Sequence, residues 1–353
     1  MKVFLKYFKV FVLLIGIYVV FSVLSCFIPN KIIHKNIERS VVKLEREGDY
    51  PFVVNSQKEY RLDNFTDAMI INQIYSIDNS HPFTSFIFVK HQITPKMSKV
   101  QALAWRVKHP KEPNSIYPRY WHGNTFVTRL LFLIGDFSKI RWILYAVSSM
   151  LFIVFCVVLY KKSNLINTIA AASGLLFVNF FVTQFSIQFS PVIVLSLLSS
   201  ILLCYNIRNE KRIPMIFFIF GSLTAYMDLL TTPLLTLGIP LMVYFLLTKD
   251  AIENESLKKS IQTLIIIAFL WVLGYGFTWI IKWVIATVFT DMNVFKDAWE
   301  ATTYRLQSEA NQRKPFTRFD AIGLNAKMLP WVYINAILSV LLLMASCFFR
   351  KKG

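Results

Sequence analysis

Residues 9–29 read KVFVLLIGIYVVFSVLSCFIP, a run with no charge between Lys9 and its closing proline. A helix that crosses roughly 30 Å of hydrocarbon needs about 20 mostly apolar residues, and this run supplies them. The apolar core of a secretory leader is only about 7–15 residues long. The segment therefore reads as a retained first transmembrane helix, although Val23-Leu24-Ser25-Cys26 resembles a lipoprotein cleavage box. The same reading along the chain gives further spans at 140–160, 165–183, 190–206, 213–230, 231–248, 261–283 and 328–349. Ser190-Pro191 opens one of them, and Thr232-Pro233 opens another with threonine as N-cap and proline in the first turn.

Composition agrees with the spans. Hydrophobic residues make up 55% of the 353 positions and charged residues 16%, against roughly 25% charged in soluble domains. A soluble fold of this length has no interior for so much apolar surface. A cytosolic enzyme, a disordered chain and a secreted disulfide scaffold are all excluded. The expected fold is an all-α polytopic membrane bundle of about eight transmembrane helices, with a large extracytoplasmic first loop containing interfacial helices.

The net charge of +18 does not point to nucleic acid, because the basic residues gather at the ends of apolar runs, where membrane topology explains them. Lys2, Lys6 and Lys9 precede the first span, and Lys161 and Lys162 follow the second. Arg208, Lys211 and Arg212, then Lys249, Lys258 and Lys259, occupy two later short connections, and Arg350, Lys351 and Lys352 end the chain. The connections at 184–189 and 229–232 carry no basic residue. A cell-membrane protein with both termini cytoplasmic puts every short basic loop inside. The chain then divides into a first helix (1–29), an outer loop (30–139), a bundle (140–289), a second outer loop (290–327) and a last helix with a basic tail (328–353). Cys26, Cys156, Cys204 and Cys347 all lie in or beside apolar runs, as packing residues do.

Outer loops this long are usually functional, and the residues able to carry chemistry cluster there. In Asp63-Asn64-Phe65-Thr66-Asp67-Ala68-Met69-Ile70-Ile71, Asn64 with Asp67 three residues later reads as an N-cap and its partner. Asp63, Asp67, Ile70, Ile71 and Ile74 then share one helix face. An acid at the head of an apolar stripe is partly buried, which raises its pKa toward the range of a general base. The plain alternative is a capping carboxylate. Residues 97–108 read as a basic amphipathic helix in the membrane interface, with Val100, Leu103, Ala104 and Val107 as its stripe. Tyr117-Pro118-Arg119-Tyr120-Trp121-His122-Gly123 precedes an apolar run, 126–135, too short to span. Arg119 offers a planar fork for phosphate oxygens, with His122 and Tyr120 beside it; an aromatic interface belt would explain the rings equally well. Asp228 is an acid embedded in an apolar span, and intramembrane acids mark a site or a pairing. Arg305 and Arg318 in the last outer loop suit a phosphate or a polyanionic acceptor, or simply lipid headgroups. No Walker loop, dinucleotide glycine pattern, HExxH or GxSxG occurs, and no motif specifies a cofactor or a metal.

This arrangement resembles the GT-C superfamily of membrane glycosyltransferases. The resemblance rests on a first helix that leads into a large outer loop bearing acids, here Asp67 with Asp63 one turn earlier. Arg119 and His122 stand in a YPRYWHG string similar to ones in Gram-positive envelope proteins. It implies a polyprenyl-phosphate sugar as donor, Asp67 as general base, Arg119 at the donor phosphate, and inversion at the anomeric carbon. A Lys- and Ile-rich, Gly-poor composition in the manner of a low-GC bacterium adds an envelope polymer or glycan as the expected acceptor. Two other readings stay open: a flippase or transporter of lipid-linked sugars with Asp228 and Lys282 as gating charges, and an assembly subunit without a site.

Overall fold

The computed structural model describes residues 2–53, 60–109, 113–177, 180–253 and 257–306, together with Asp320 and Gly323. Fourteen helices and one two-stranded ribbon occur among the described residues. Three helices are long and apolar enough to cross a membrane: α1 (Lys2–Cys26), α7 (Phe137–Lys162) and, within α13 (Leu257–Phe289), the stretch Lys258–Phe289. Shorter apolar helices occupy the other expected positions as far as residue 306. They are α8 (Leu165–Phe177), the single turn α9 (Phe180–Thr183), α10 (Ser190–Asn206), α11 (Ile213–Met227) and α12 (Leu235–Glu253). The last expected span, 328–349, and the basic tail lie outside the described residues.

The break between α11 and α12 differs from the sequence expectation. Helix α11 stops at Met227, leaving Asp228 as an extended C-cap, and Leu230 takes a positive φ of 66°. Helix α12 starts at Leu235, so Thr232 and Pro233 lie in the turn before it rather than at its cap and first turn. The residue before a proline is pushed out of the helical region, and the chain needs two further residues to close a turn. Asp228 is thereby removed from any helix.

Residues 30–139 form a helical unit whose core also takes in Ile140, Ile187 and Leu229. It comprises α2 (Asn30–Glu47), α3 (Asn64–Tyr75), α4 (Pro82–Phe88), α5 (Lys99–Lys108) and α6 (Asn124–Ile134). Strands β1 (Lys90–His91) and β2 (Ser115–Ile116) pair antiparallel between them, Lys90 opposite Ile116. The three- and four-residue spacing of Ile33, Ile37, Val41 and Leu44 makes α2 amphipathic, and that stripe packs on Ile70, Ile71 and Ile74 of α3. Val100, Leu103 and Ala104 of α5 enter the same cluster. The stripe that reads as a membrane-interface face is spent on this core instead. A capping box between Ser98 and Gln101 starts α5. Helix α14 (Val294–Leu306) follows α13 and packs against it.

Backbone contact sets the packing of α11 on α13. A Cβ built on Gly221 would stand 2.1 Å from the Trp271 carbonyl oxygen, and one on Gly274 2.1 Å from that of Phe218. Reciprocal glycines of this kind let membrane helices approach closely. Beside them Ser222 Oγ meets Thr278 Oγ1 at 2.7 Å and the Tyr18 hydroxyl at 3.0 Å, tying in α1. Trp121 of the 30–139 unit then donates its indole N–H to the Thr278 carbonyl at 2.8 Å. The 30–139 unit is thus keyed into the bundle by a buried ring. Gly221→Ala places a methyl against that immovable carbonyl and is expected to cost about 1–3 kcal/mol, read as a lower unfolding midpoint in detergent; an unchanged midpoint contradicts the contact.

Candidate functional site

Asp63, not Asn64, caps α3: its carboxylate accepts from the Thr66 N–H at 3.0 Å. The cap thus falls one residue earlier than the sequence pattern suggests. Asn64 is freed to donate to the Glu47 carboxylate at 3.0 Å and the Gly48 carbonyl at 2.8 Å. Asp67 then lies one turn into the helix, 1% exposed. Its Oδ1 accepts from the Ser186 hydroxyl at 2.8 Å and from the Gln188 backbone N–H at 3.1 Å. Both donors belong to the turn between α9 and α10. Ser190 closes that turn by donating to the Gln184 and Ser186 carbonyls at 2.8 and 2.7 Å.

The network does not end there. The Gln188 side-chain amide donates to Asp228 Oδ1 at 3.5 Å and also to the Thr231 hydroxyl. Asp228 Oδ1 accepts from the Thr231 N–H at 3.3 Å as well. Two acids far apart in the sequence therefore share one buried network with a single glutamine between them.

Electrostatics give Asp67 an unusual state. Burial pushes its pKa up from 3.8 to about 7, against the Ser186 hydrogen bond and the Arg141 charge, which pull it down; Asp63 adds a further upward push. Arg141 does not pin the acid because it is already paired. On α7 and 4% exposed, it donates to Glu47 at 2.8 and 3.1 Å and to the Asn64 side-chain oxygen. Burial raises the Glu47 pKa, but Arg141, Asn64 and Lys43 together hold it below the ordinary range. Glu47 thus keeps the guanidinium and leaves Asp67 with neutral donors.

The second group of expected residues lies around Arg119. Its Nη1 donates to Asp297 of α14 at 2.6 Å, and the guanidinium rests 4.7 Å above the Tyr117 ring. The Arg119 carbonyl accepts from Trp283 Nε1 at 3.0 Å. Tyr120 is 2% exposed and meets Trp279 edge-on at 5.1 Å. His122 is buried with φ 55°, and its Nε2 lies 3.1 Å from the Tyr117 carbonyl, so that nitrogen donates. Burial first, then the nearby Lys282 charge, push its pKa down to about 3. His122 is accordingly neutral and contributes no charge toward a phosphate. The next residue, Gly123, passes close to Tyr226: its N–H donates to the Tyr226 carbonyl at 2.9 Å, and a Cβ there would lie 2.4 Å from the Tyr226 ring.

The structure therefore joins Asp67 to Asp228, and Tyr120 to His122 and, through Tyr117, to Arg119. No hydrogen bond or ion pair joins Arg119 to Asp67 among the described residues. Asp63 is spent on the helix cap. Arg305 lies in the last turn of α14, and Arg318 lies outside the described residues. Sequence reasoning missed Ser186, Gln188, Arg141, Glu47 and Asp297. A signal existed for Arg141 alone: a charge inside an apolar run, as at Asp228. No group of three or more His, Cys, Asp or Glu side chains able to hold a metal occurs among the described residues. Comparison with known proteins finds no family model, no curated protein and no solved structure that matches the chain.

The acid makes stability depend on pH. Folded Asp67 keeps a proton that the unfolded chain releases near pH 4. Its contribution is full below that pH and is lost as pH rises through about 7. The rise from 3.8 to about 7 is worth at most about 4 kcal/mol. Asp67→Asn is expected to melt near wild type at about pH 4 and above it at about pH 8. A variant that melts below wild type at pH 8 shows that the carboxylate is a structural anion instead.

Proposed function

We propose that this chain is a multi-pass cell-membrane glycosyltransferase with eight spans and both termini cytoplasmic. It takes a sugar from a polyprenyl-phosphate donor to an envelope polymer or glycan on the extracytoplasmic side. Asp67 is the general base. It removes the proton of an acceptor hydroxyl, whose oxygen attacks the anomeric carbon with inversion. The bond from that carbon to the phosphate oxygen breaks, and the polyprenyl phosphate leaves with the electron pair.

One observation carries this reading: Asp67 is a fully buried carboxyl held by a hydroxyl and a backbone N–H and by no cation, an arrangement in which burial pushes its pKa up to about 7, the range suited to a general base. Asp67 is not the cap of its own helix, because Asp63 fills that role. Nor is it the partner of a structural cation, because Glu47 occupies Arg141. Its partners sit on a different part of the chain, at the seam between outer unit and bundle. Arg119, only 17% exposed in its side chain, suits the leaving phosphate, with Asp297 as the partner that phosphate displaces.

Full-length protein in proteoliposomes, supplied with a panel of polyprenyl-phosphate sugars, tests this. Asp67→Asn is expected to lower turnover by about a hundredfold or more while the protein stays folded; turnover within a few-fold of wild type removes Asp67 from the mechanism. Arg119→Gln deletes a charged hydrogen bond to phosphate and is expected to lower kcat/KM by about 10–100-fold, with Asp297→Asn having a far smaller effect. Equal losses in those two variants would make the ion pair structural.

A further inference from the structure

Helix α13 carries an aromatic residue at every fourth position: Trp271, Tyr275, Trp279 and Trp283. Successive ring centroids lie 5.1, 5.9 and 5.3 Å apart, so the rings form a ladder along one helix face. The outer two rungs have hydrogen-bond partners. Trp271 Nε1 donates to Thr236 Oγ1 at 3.1 Å and Trp283 Nε1 to the Arg119 carbonyl. The middle two do not: the Tyr275 hydroxyl and Trp279 Nε1 are buried without a partner among the described residues. The same holds for Asp228 Oδ2, on a side chain 1% exposed, and for the Thr232 hydroxyl. Leu229, next to Asp228, packs in one cluster with Tyr120 and Trp279, and Tyr120 meets Trp279 edge-on. A buried polar atom without a partner is costly, and four of those among the described residues fall on two segments, 228–232 and 275–279, that pack in one cluster.

We propose that Asp228, Tyr275, Trp279 and Thr232 form a seat for a neutral polyhydroxyl ring, the sugar of the lipid-linked donor. This rests on the transfer reading above and extends it to the group that is moved. The chemistry selects that ligand over others. A phosphate at these four atoms would need a cation among them, and the nearby cations have other partners: Arg119 stands at Asp297, Arg141 at Glu47, and Lys282 donates to the Phe86 and Ile87 carbonyls. A prenyl tail would leave all four polar atoms unsatisfied. A pyranose offers hydroxyls that donate to the carboxylate and accept from indole and phenol, and apolar C–H faces that lie on aromatic rings. Gln188 couples Asp228 to the network of Asp67, so a ring held at Asp228 sits beside the base.

Full-length protein in nanodiscs, carrying Asp67→Asn to prevent turnover, is titrated with a polyprenyl-phosphate hexose and with the same polyprenyl phosphate lacking the sugar. The hexose lipid is expected to bind at least tenfold more tightly. Asp228→Asn, and the isosteric Tyr275→Phe, are expected to reduce that preference severalfold while the bare lipid binds as before. No preference in the starting protein, or a preference that survives both substitutions, overturns the seat and leaves these atoms to water or to the chain beyond residue 306. The two ideas fail separately: a preference that Asp228→Asn abolishes, in a protein whose Asp67→Asn form still transfers sugar, keeps the seat and discards the base.

Discussion

Asp67 is a buried carboxyl held by a hydroxyl and a backbone N–H rather than by a cation, and the surrounding structure depends on that arrangement. Burial alone makes ionisation expensive, and a guanidinium in contact would reverse the effect. Arg141 is close enough to be felt, yet its Nη1 is taken by Glu47 on α2 and its Nη2 by Asn64. Arg129 on α6, fully buried, donates to the Ile74 carbonyl at 2.5 Å and to that of Ile28. Arg119 is turned to Asp297. Each buried arginine near the seam thus has partners other than Asp67, and the acid is left able to exchange a proton near neutrality.

The seam itself is fixed at two points. One is the polar chain from Asp67 through Gln188 to Asp228. The other is Trp121, lodged against Tyr18, Phe86 and Tyr226 and bonded to the Thr278 carbonyl. The second point rests on the close approach of α11 and α13 at Gly221 and Gly274, which fixes where Thr278 and the aromatic ladder stand. Helix packing inside the bundle and the state of an acid outside it are therefore linked by a short series of contacts.

Much of this was legible in the sequence where a local rule sufficed. Long uncharged runs mark α1, α7 and α13, and the stripe ending in Ile70, Ile71 and Ile74 marks the buried face of α3 that carries Asp67. What was not legible depends on tertiary choice. An amphipathic helix such as α5 looks the same whether its stripe meets lipid or another helix, and only the matching stripe on α2 decides for the core. Asn64 and Asp63 are both good caps, and Asn64 is drawn away by Glu47 and Arg141, which arrive from distant segments. The turn 184–189 has no charge and no motif, so nothing local announces that Ser186 and Gln188 hold an acid. Arg119 and Asp67 look equally available as site residues, but Asp297, far along the chain, claims the arginine.

Infrared difference spectroscopy on membranes, wild type against Asp67→Asn, reads the carbonyl stretch of one protonated carboxyl as pH is varied. The account predicts a band present at pH 5 that disappears with a midpoint of about 7. A band already absent at pH 5 would mean that Asp67 is a permanently ionised structural anion, and the proton-acceptor role at the centre of the account would be lost.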